Sequence, residues 1–190
     1  MVKPTYDSQK KAISVLMIGV IIGVCVPFSI MPMMASGGDG SIEIRPLGDE
    51  SDFISIIDGA KESVNVDIYL LFNKDIIEAL CRAGERGIPV KVVCQDFNVS
   101  TNELKDRLDK NVSLRIVEPI PEKYKCMTYH TKLLLVDENI TVCGSHNYTK
   151  SAFYSNSEYS LVVNDPSTYR KAYAHFLGDW KKGKDWRTFS

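Results

Sequence analysis

The sequence predicts an α/β sandwich, with a mixed central β-sheet flanked by helices, preceded by one N-terminal transmembrane helix. Three observations point there. An uncharged stretch runs from Ala12 to Gly38, and beyond it the apolar periodicity switches repeatedly between two residues and about four. No internal repeat or low-complexity tract breaks that alternation, and a composition 44% hydrophobic and 25% charged over 190 residues suits one globular domain with a short appendage.

Within the uncharged stretch, Ile13 to Met34 is long and apolar enough to cross ~30 Å of hydrocarbon as a helix, so residues 12–34 read as a signal anchor. The alternative is a cleaved secretory signal. Its apolar core would run only ~7 to 15 residues before a small-x-small site, and Met33-Met34-Ala35 is a poor one. Pro27 and Pro32 kink the outer part of the span or mark its end. Lys3, Lys10 and Lys11 against Asp7 on one side, with Asp39, Glu43, Asp49 and Glu50 on the other, put residues 1–11 in the cytoplasm. The domain then faces outward. Residues 35–41 (Ala-Ser-Gly-Gly-Asp-Gly-Ser) form a linker of at most about 25 Å, which keeps residues 42–190 near the bilayer.

Ser41 to Leu47 reads as a first strand, and Phe53, Ile54, Ile56, Ile57 and Ala60 give a helical face ending near Ser63. Val64, Val66, Ile68 and Leu70 alternate as a second strand. Asn73 is a plausible N-cap for a helix through Arg82, closed by Gly87 as a left-handed residue. Ile88 to Cys94 is a third strand, Ser100-Thr-Asn-Glu103 has capping-box spacing for a short helix, and Ser113 to Val117 returns as strand. Thr131 to Val136, Ile140 to Cys143 and Tyr159 to Val163 complete about seven strands. Asp165-Pro166 opens the fourth helix, with Tyr169, Tyr173, Phe176, Leu177 and Trp180 on one stripe.

A net charge of -1 gives no global pull toward nucleic acid or anionic membrane, so any such affinity must be local. Residues 39–120 carry 10 basic and 16 acidic side chains, whereas residues 121–190 carry 10 and 7, which makes the second half the positive one. Five cysteines without a C-x-x-C pair make neither a zinc framework nor a redox pair. Cys81, Cys94, Cys126 and Cys143 read by default as free thiols, although pairing cannot be read from spacing. No cluster of His, Asp and Cys has zinc-like spacing, so no metal or other cofactor is expected.

The chemistry concentrates between Tyr129 and Glu158. His130-Thr-Lys132 is followed after four residues by Asp137, and after six more by Gly144-Ser145-His146-Asn147, giving H-x-K-x4-D-x6-G-S-x-N. Accidental occurrence after a given His is on the order of once in 10⁷ to 10⁸ trials. The pattern resembles the signature of the phospholipase D superfamily. The stretch from about Ser41 to Trp186 looks like one such domain in its compact single-motif form, near the Nuc-like endonucleases and the mitochondrial cardiolipin hydrolase branch.

The spacing also makes physical sense by itself. His130 and Lys132 are two apart at the start of a strand and leave the same sheet face. Gly144 ends the next strand and permits close backbone approach, while Ser145 and Asn147 can donate to an oxyanion. One imidazole, one ammonium and two neutral donors make a phosphate site with a built-in nucleophile. The resemblance implies that His130 becomes a phosphohistidine while Lys132 and Asn147 neutralise charge on the non-bridging oxygens, with Ser145 a lesser donor. An attacking Nε2 needs its Nδ1 proton held by a carboxylate. Glu158 is the candidate, and the resemblance implies that it orients the histidine. Asp137 closes the motif but should point to the opposite face, so it reads as structural, as does Gly144.

A proton donor for the leaving group is missing from a single copy. The resembled enzymes pair two motifs, which implies a two-fold homodimer bringing two copies of His130 to one phosphate. No metal is required. Phospholipid is slightly favoured as substrate because the tether holds the domain near a bilayer. A metal-independent endonuclease acting on DNA or RNA and a non-catalytic membrane-anchored phosphate-binding module are the alternatives.

Blander readings apply elsewhere. His146 should point away by strand alternation, and His175 reads as a surface or packing residue. Lys123 and Lys125 either rim the site or sit in a solvated loop. The C-terminal Trp180-Lys-Lys-Gly-Lys-Asp-Trp186-Arg187 segment touches headgroups or bases, or simply packs a helix end. Asn98, Asn111 and Asn139 begin glycosylation sequons that matter only in a glycosylating compartment.

Overall fold

A computed structural model of the protein describes residues 43–98, 101–118 and 129–189. The expected anchor, the linker, the start of the first strand, Ser100, Lys123, Lys125 and Cys126 lie outside the described residues. Among the described residues, no helix is long and apolar enough to cross a membrane.

The chain order is β1 (Glu43–Leu47), α1 (Glu50–Asp58), β2 (Val64–Leu71), α2 (Lys74–Glu85), β3 (Val90–Phe97), α3 (Asn102–Asn111) and β4 (Ser113–Ile116). Then come β5 (Lys132–Val136), β6 (Ile140–Gly144), α4 (Lys150–Tyr154), β7 (Ser160–Asn164), α5 (Pro166–Lys182), β8 (Lys184–Asp185) and a 3-10 turn at Trp186–Phe189. The strands form one sheet in the order β1-β7-β6-β5-β2-β3-β4-β8. β2, β3 and β4 run parallel, joined by α2 and α3 as crossovers, while the remaining pairings are antiparallel. The mixed sheet of the sequence reading is therefore present. The structure adds three short elements to it, α4, the two-residue β8 and the 3-10 turn at Trp186–Phe189.

Strand alternation sorts the core into two layers. Val64, Val66 and Ile68 of β2, with Leu134 and Val136 of β5, face α1, α2 and α3, where Phe53, Ile57, Ile77, Leu80 and Leu108 fill the larger core. On the other face Val93, Leu133 and Leu135 meet Tyr169 and Phe176 of α5.

The helix ends follow their side chains. Asn73 caps α2 by accepting from Asp75 and Ile76 N–H at 2.9 and 3.2 Å. Gly87, at φ 84°, closes the same helix: its N–H donates to Gly84 O and that of Ile88 to Ala83 O, a Schellman pair that satisfies two orphan carbonyls. Asp165 caps α5 by accepting from Thr168 N–H at 2.7 Å, with Pro166 in the first turn. The capping box is displaced. Thr101 caps α3 by accepting from Leu104 N–H at 3.2 Å, so Glu103 falls one position too early for a reciprocal bond.

Helix α1 also stops earlier than its apolar face suggests, at Asp58. Gly59 is its C-cap, and the loop beyond it is held from a distant part of the chain. Asp137, in the β5–β6 turn at φ 52°, accepts backbone N–H groups from Lys61, Glu62 and Ser63 at 2.9, 2.8 and 3.0 Å. Those donors hold the loop into β2. Asp137→Ala should leave three N–H groups without their acceptor and lower stability by about 2 kcal/mol in urea unfolding, with turnover per folded molecule retained.

Candidate active site

The site is built where four strand ends meet. His130 and Thr131 lead into β5, Ser145 to Asn147 leave β6, and Glu158 and Tyr159 lead into β7. Antiparallel pairing of β5 with β6 and of β6 with β7 puts the start of β5, the end of β6 and the start of β7 at one edge of the sheet. The end of β2 joins them, because Ile68 pairs with Lys132 and the N–H of Tyr69 donates to Thr131 O at 2.9 Å.

His130 is exposed, and its ring lies 5.2 Å from that of Tyr69. Lys132 is half-buried, its Nζ donating to His130 O at 2.9 Å and standing 5.4 Å from the Tyr69 ring centroid. Burial pulls its pKa below the ordinary lysine range, and the negative charge of Glu158 opposes that shift. Tyr69 was not singled out from sequence. Its only signal was its place near the end of an alternating strand.

Gly144 permits β6 to press against β7. A Cβ there would lie 2.3 Å from both Ser160 Oγ and Tyr159 O, and 2.5 Å from Ser160 Cα. Ser145 then extends the ladder: its N–H donates to Tyr159 O at 2.9 Å, while its Oγ accepts from Tyr159 N–H at 2.9 Å. Hydrogen bonds from Ser145 and from the Asn156 amide, the latter at 2.9 Å, hold Glu158 below the usual carboxylate range, with His146 and Lys132 adding charge attraction against some burial. Glu158 thus stands at the same edge as His130, but none of the hydrogen bonds found for it among the described residues goes to that ring. Asn147 is half-buried, and its Oδ1 is a buried atom with no hydrogen-bond partner among the described residues.

The other candidates belong to the fold. His146 is buried, with Nδ1 2.9 Å from Ser160 Oγ and its ring stacked on Phe153 at 5.3 Å; burial lowers its pKa. Asp137 lies at the far end of β5, bound to the β2 approach. Trp180 packs beneath Arg115 at 4.4 Å, and Trp186 is buried edge-on to Phe97 at 5.5 Å. The C-terminal indoles therefore serve packing. Cys81 and Cys94 are buried free thiols and Cys143 an exposed one; burial pushes Cys81 up to about 11.

One cluster escaped the sequence reading. Asp67 of β2, His175 and Asp179 of α5 bring their ligand atoms within 4.8 Å of one another, a juxtaposition that linear spacing does not reveal because Asp67 lies over 100 residues earlier. Burial, then the charge of Asp179, push Asp67 up to about 8, against the pull of Lys182.

Fold and motif together define a class: a mixed α/β sandwich presenting one H-x-K-x4-D sequence and a G-S-x-N turn at a common sheet edge. Comparison agrees, since the family described as cardiolipin synthase, PLD-like domain, matches residues 53–180. The chain belongs to that family, as a single-motif member of the phospholipase D superfamily, whose homologues include phosphodiesterase hydrolases. It is 27% identical over 141 residues to the mitochondrial cardiolipin hydrolase of Danio rerio, covering 72% of this chain and 60% of that one. It is 26% identical to a phospholipase D of Rickettsia prowazekii, over 71% of this chain and 62% of that protein. The chain thus spans about three fifths of these curated relatives. The crystal structure of Nuc from Salmonella typhimurium, a phospholipase D family member, superposes with a TM-score of 0.62 at 26% identity, over 77% of this chain and 99% of that one.

Proposed function

We propose that this chain is a membrane-anchored phosphodiesterase that hydrolyses a phospholipid through a phosphohistidine at His130. The observation that carries the reading is the shared sheet edge of an exposed His130, Lys132 and Asn147, with Glu158 beside them. His130 Nε2 attacks phosphorus, and the bond to the leaving oxygen breaks. Lys132 and Asn147 hold the non-bridging oxygens as charge accumulates there. The departing oxygen takes its proton from the same histidine of a second copy, which then removes a proton from water; the resulting hydroxide breaks the P–N bond and frees His130. Glu158 is assigned to hold the Nδ1 proton, which requires its carboxylate to turn from the Asn156 amide to the His130 ring. The chain acts as a two-fold homodimer, consistent with its single motif.

Support for the anchor is the absence of any charged residue from Ala12 to Gly38, and basic residues before it favour a cytoplasmic N-terminus with the domain outside. Phospholipid as substrate rests on that tether and on the cardiolipin hydrolase and phospholipase D relatives. The test assays the full chain on phospholipid vesicles, plasmid DNA and RNA in parallel, each with and without EDTA. Lipid cleavage in EDTA is the expected result. Cleavage of nucleic acid alone would replace the substrate assignment, and complete loss of activity in EDTA would overturn the mechanism.

A further inference from the structure

Behind the sheet face opposite the larger core, Asp67 poses a physical problem. Its side chain is wholly buried, and its Oδ2 makes no hydrogen bond among the described residues. An orphaned carboxylate oxygen in such a place is costly unless something positive approaches it. What faces it is the surface of α5. His175 Nε2 lies 3.8 Å from Asp67 Oδ2 and 3.4 Å from Asp179 Oδ2.

We propose that Asp67, His175 and Asp179 form a binding site for a zinc-like divalent cation, independent of the phosphodiester site. The donor set is one imidazole nitrogen and two carboxylate oxygens, a mixture that suits zinc better than the all-oxygen preference of calcium or magnesium. The spacing agrees. Zinc bonds of about 2.1 Å in a tetrahedron imply ligand-to-ligand edges of about 3.4 Å, against the 3.4 and 3.8 Å present before any cation draws them together. His175 and Asp179 stand four residues apart on α5, one above the other on a single helical face.

The remaining oxygens are already occupied in the way that ligand carboxylates require. The Tyr129 hydroxyl donates to Asp67 Oδ1, and Lys182 Nζ donates to Asp179 Oδ1 at 2.6 Å, so each acid turns its other oxygen toward His175. Thr131 Oγ1, 3.5 Å from His175 Nε2, borders the same space. Three protein ligands leave a fourth position for water, and the 57% exposed side chain of His175 provides the path in. Because Tyr129 and Thr131 flank His130, the cation ties β2 and α5 to the segment that carries His130. It takes no part in phosphoryl transfer.

The test uses full chain stripped of metal, titrated with zinc chloride by calorimetry and followed by thermal unfolding. Wild type should bind one zinc per chain at this site, and zinc at a hundredfold its Kd should raise Tm by about 5 to 10 °C. His175→Ala, at an exposed position, should fold normally and lose more than ~100-fold in affinity, because loss of an outer orienting partner alone costs about 10- to 100-fold. Asp67→Asn should lose zinc binding likewise. The proposal is overturned if wild type shows no zinc-dependent rise in Tm, as expected if a proton alone satisfies Oδ2, or if His175→Ala binds zinc as wild type does.

Discussion

His130→Ala should abolish turnover, by ~10⁴-fold or more, on whichever phosphodiester the wild-type chain cleaves, while substrate binding persists. The reason is compositional. His146 is buried against Phe153 and Ser160, and His175 faces Asp67 and Asp179, so neither can replace the exposed ring beside Tyr69. Lys132→Ala and Asn147→Ala should leave more behind, with losses of about 10² to 10³, because each removes one contact to the developing charge and not the nucleophile. Mixed subunits test the composite centre. Wild-type and His130→Ala chains refolded together in equal amounts should show about a quarter of the activity of the same total of wild-type chain if two histidines serve one phosphate, and about a half if each chain works alone.

Gly144→Ala should cost the fold about 3 kcal/mol or more, read as a lower urea midpoint. Two of the three atoms that its methyl would meet are backbone, Tyr159 O and Ser160 Cα, at 2.3 and 2.5 Å. A side chain can rotate away, but these can move only by parting β6 from β7. That separation also pulls Ser145 from Tyr159 and loosens the Glu158 turn. The variant should consequently lose activity even in the fraction that remains folded. A variant with wild-type stability would show that this close approach is dispensable.

Local signals carried much of the fold. Period-two alternation marked β2, short apolar runs marked β3, β5 and β6, and Asn73, Gly87 and Asp165 marked helix ends by chemistry that acts over four residues or fewer. The displaced cap at Thr101 shows the limit: Ser100 and Thr101 both offer an N-cap hydroxyl, and nothing in the short-range pattern ranks neighbours one residue apart. The early end of α1 had a local signal in Gly59, but what holds the following loop had none. Its apolar face continues to Ala60, but the carboxylate that claims the following N–H groups arrives from residue 137.

The sequence by itself determined the chemistry available: an imidazole, an ammonium and amide and hydroxyl donors at fixed spacing, because residue identity and strand periodicity are properties of a short stretch of chain. Only the tertiary structure decided what stands beside them. Tyr69 reaches His130 and Asp67 reaches His175 because β2 lies between β5 and β3 in the sheet while α5 covers its face. Such neighbours depend on strand order and layer packing, which bring together side chains far apart in sequence and which no periodicity encodes.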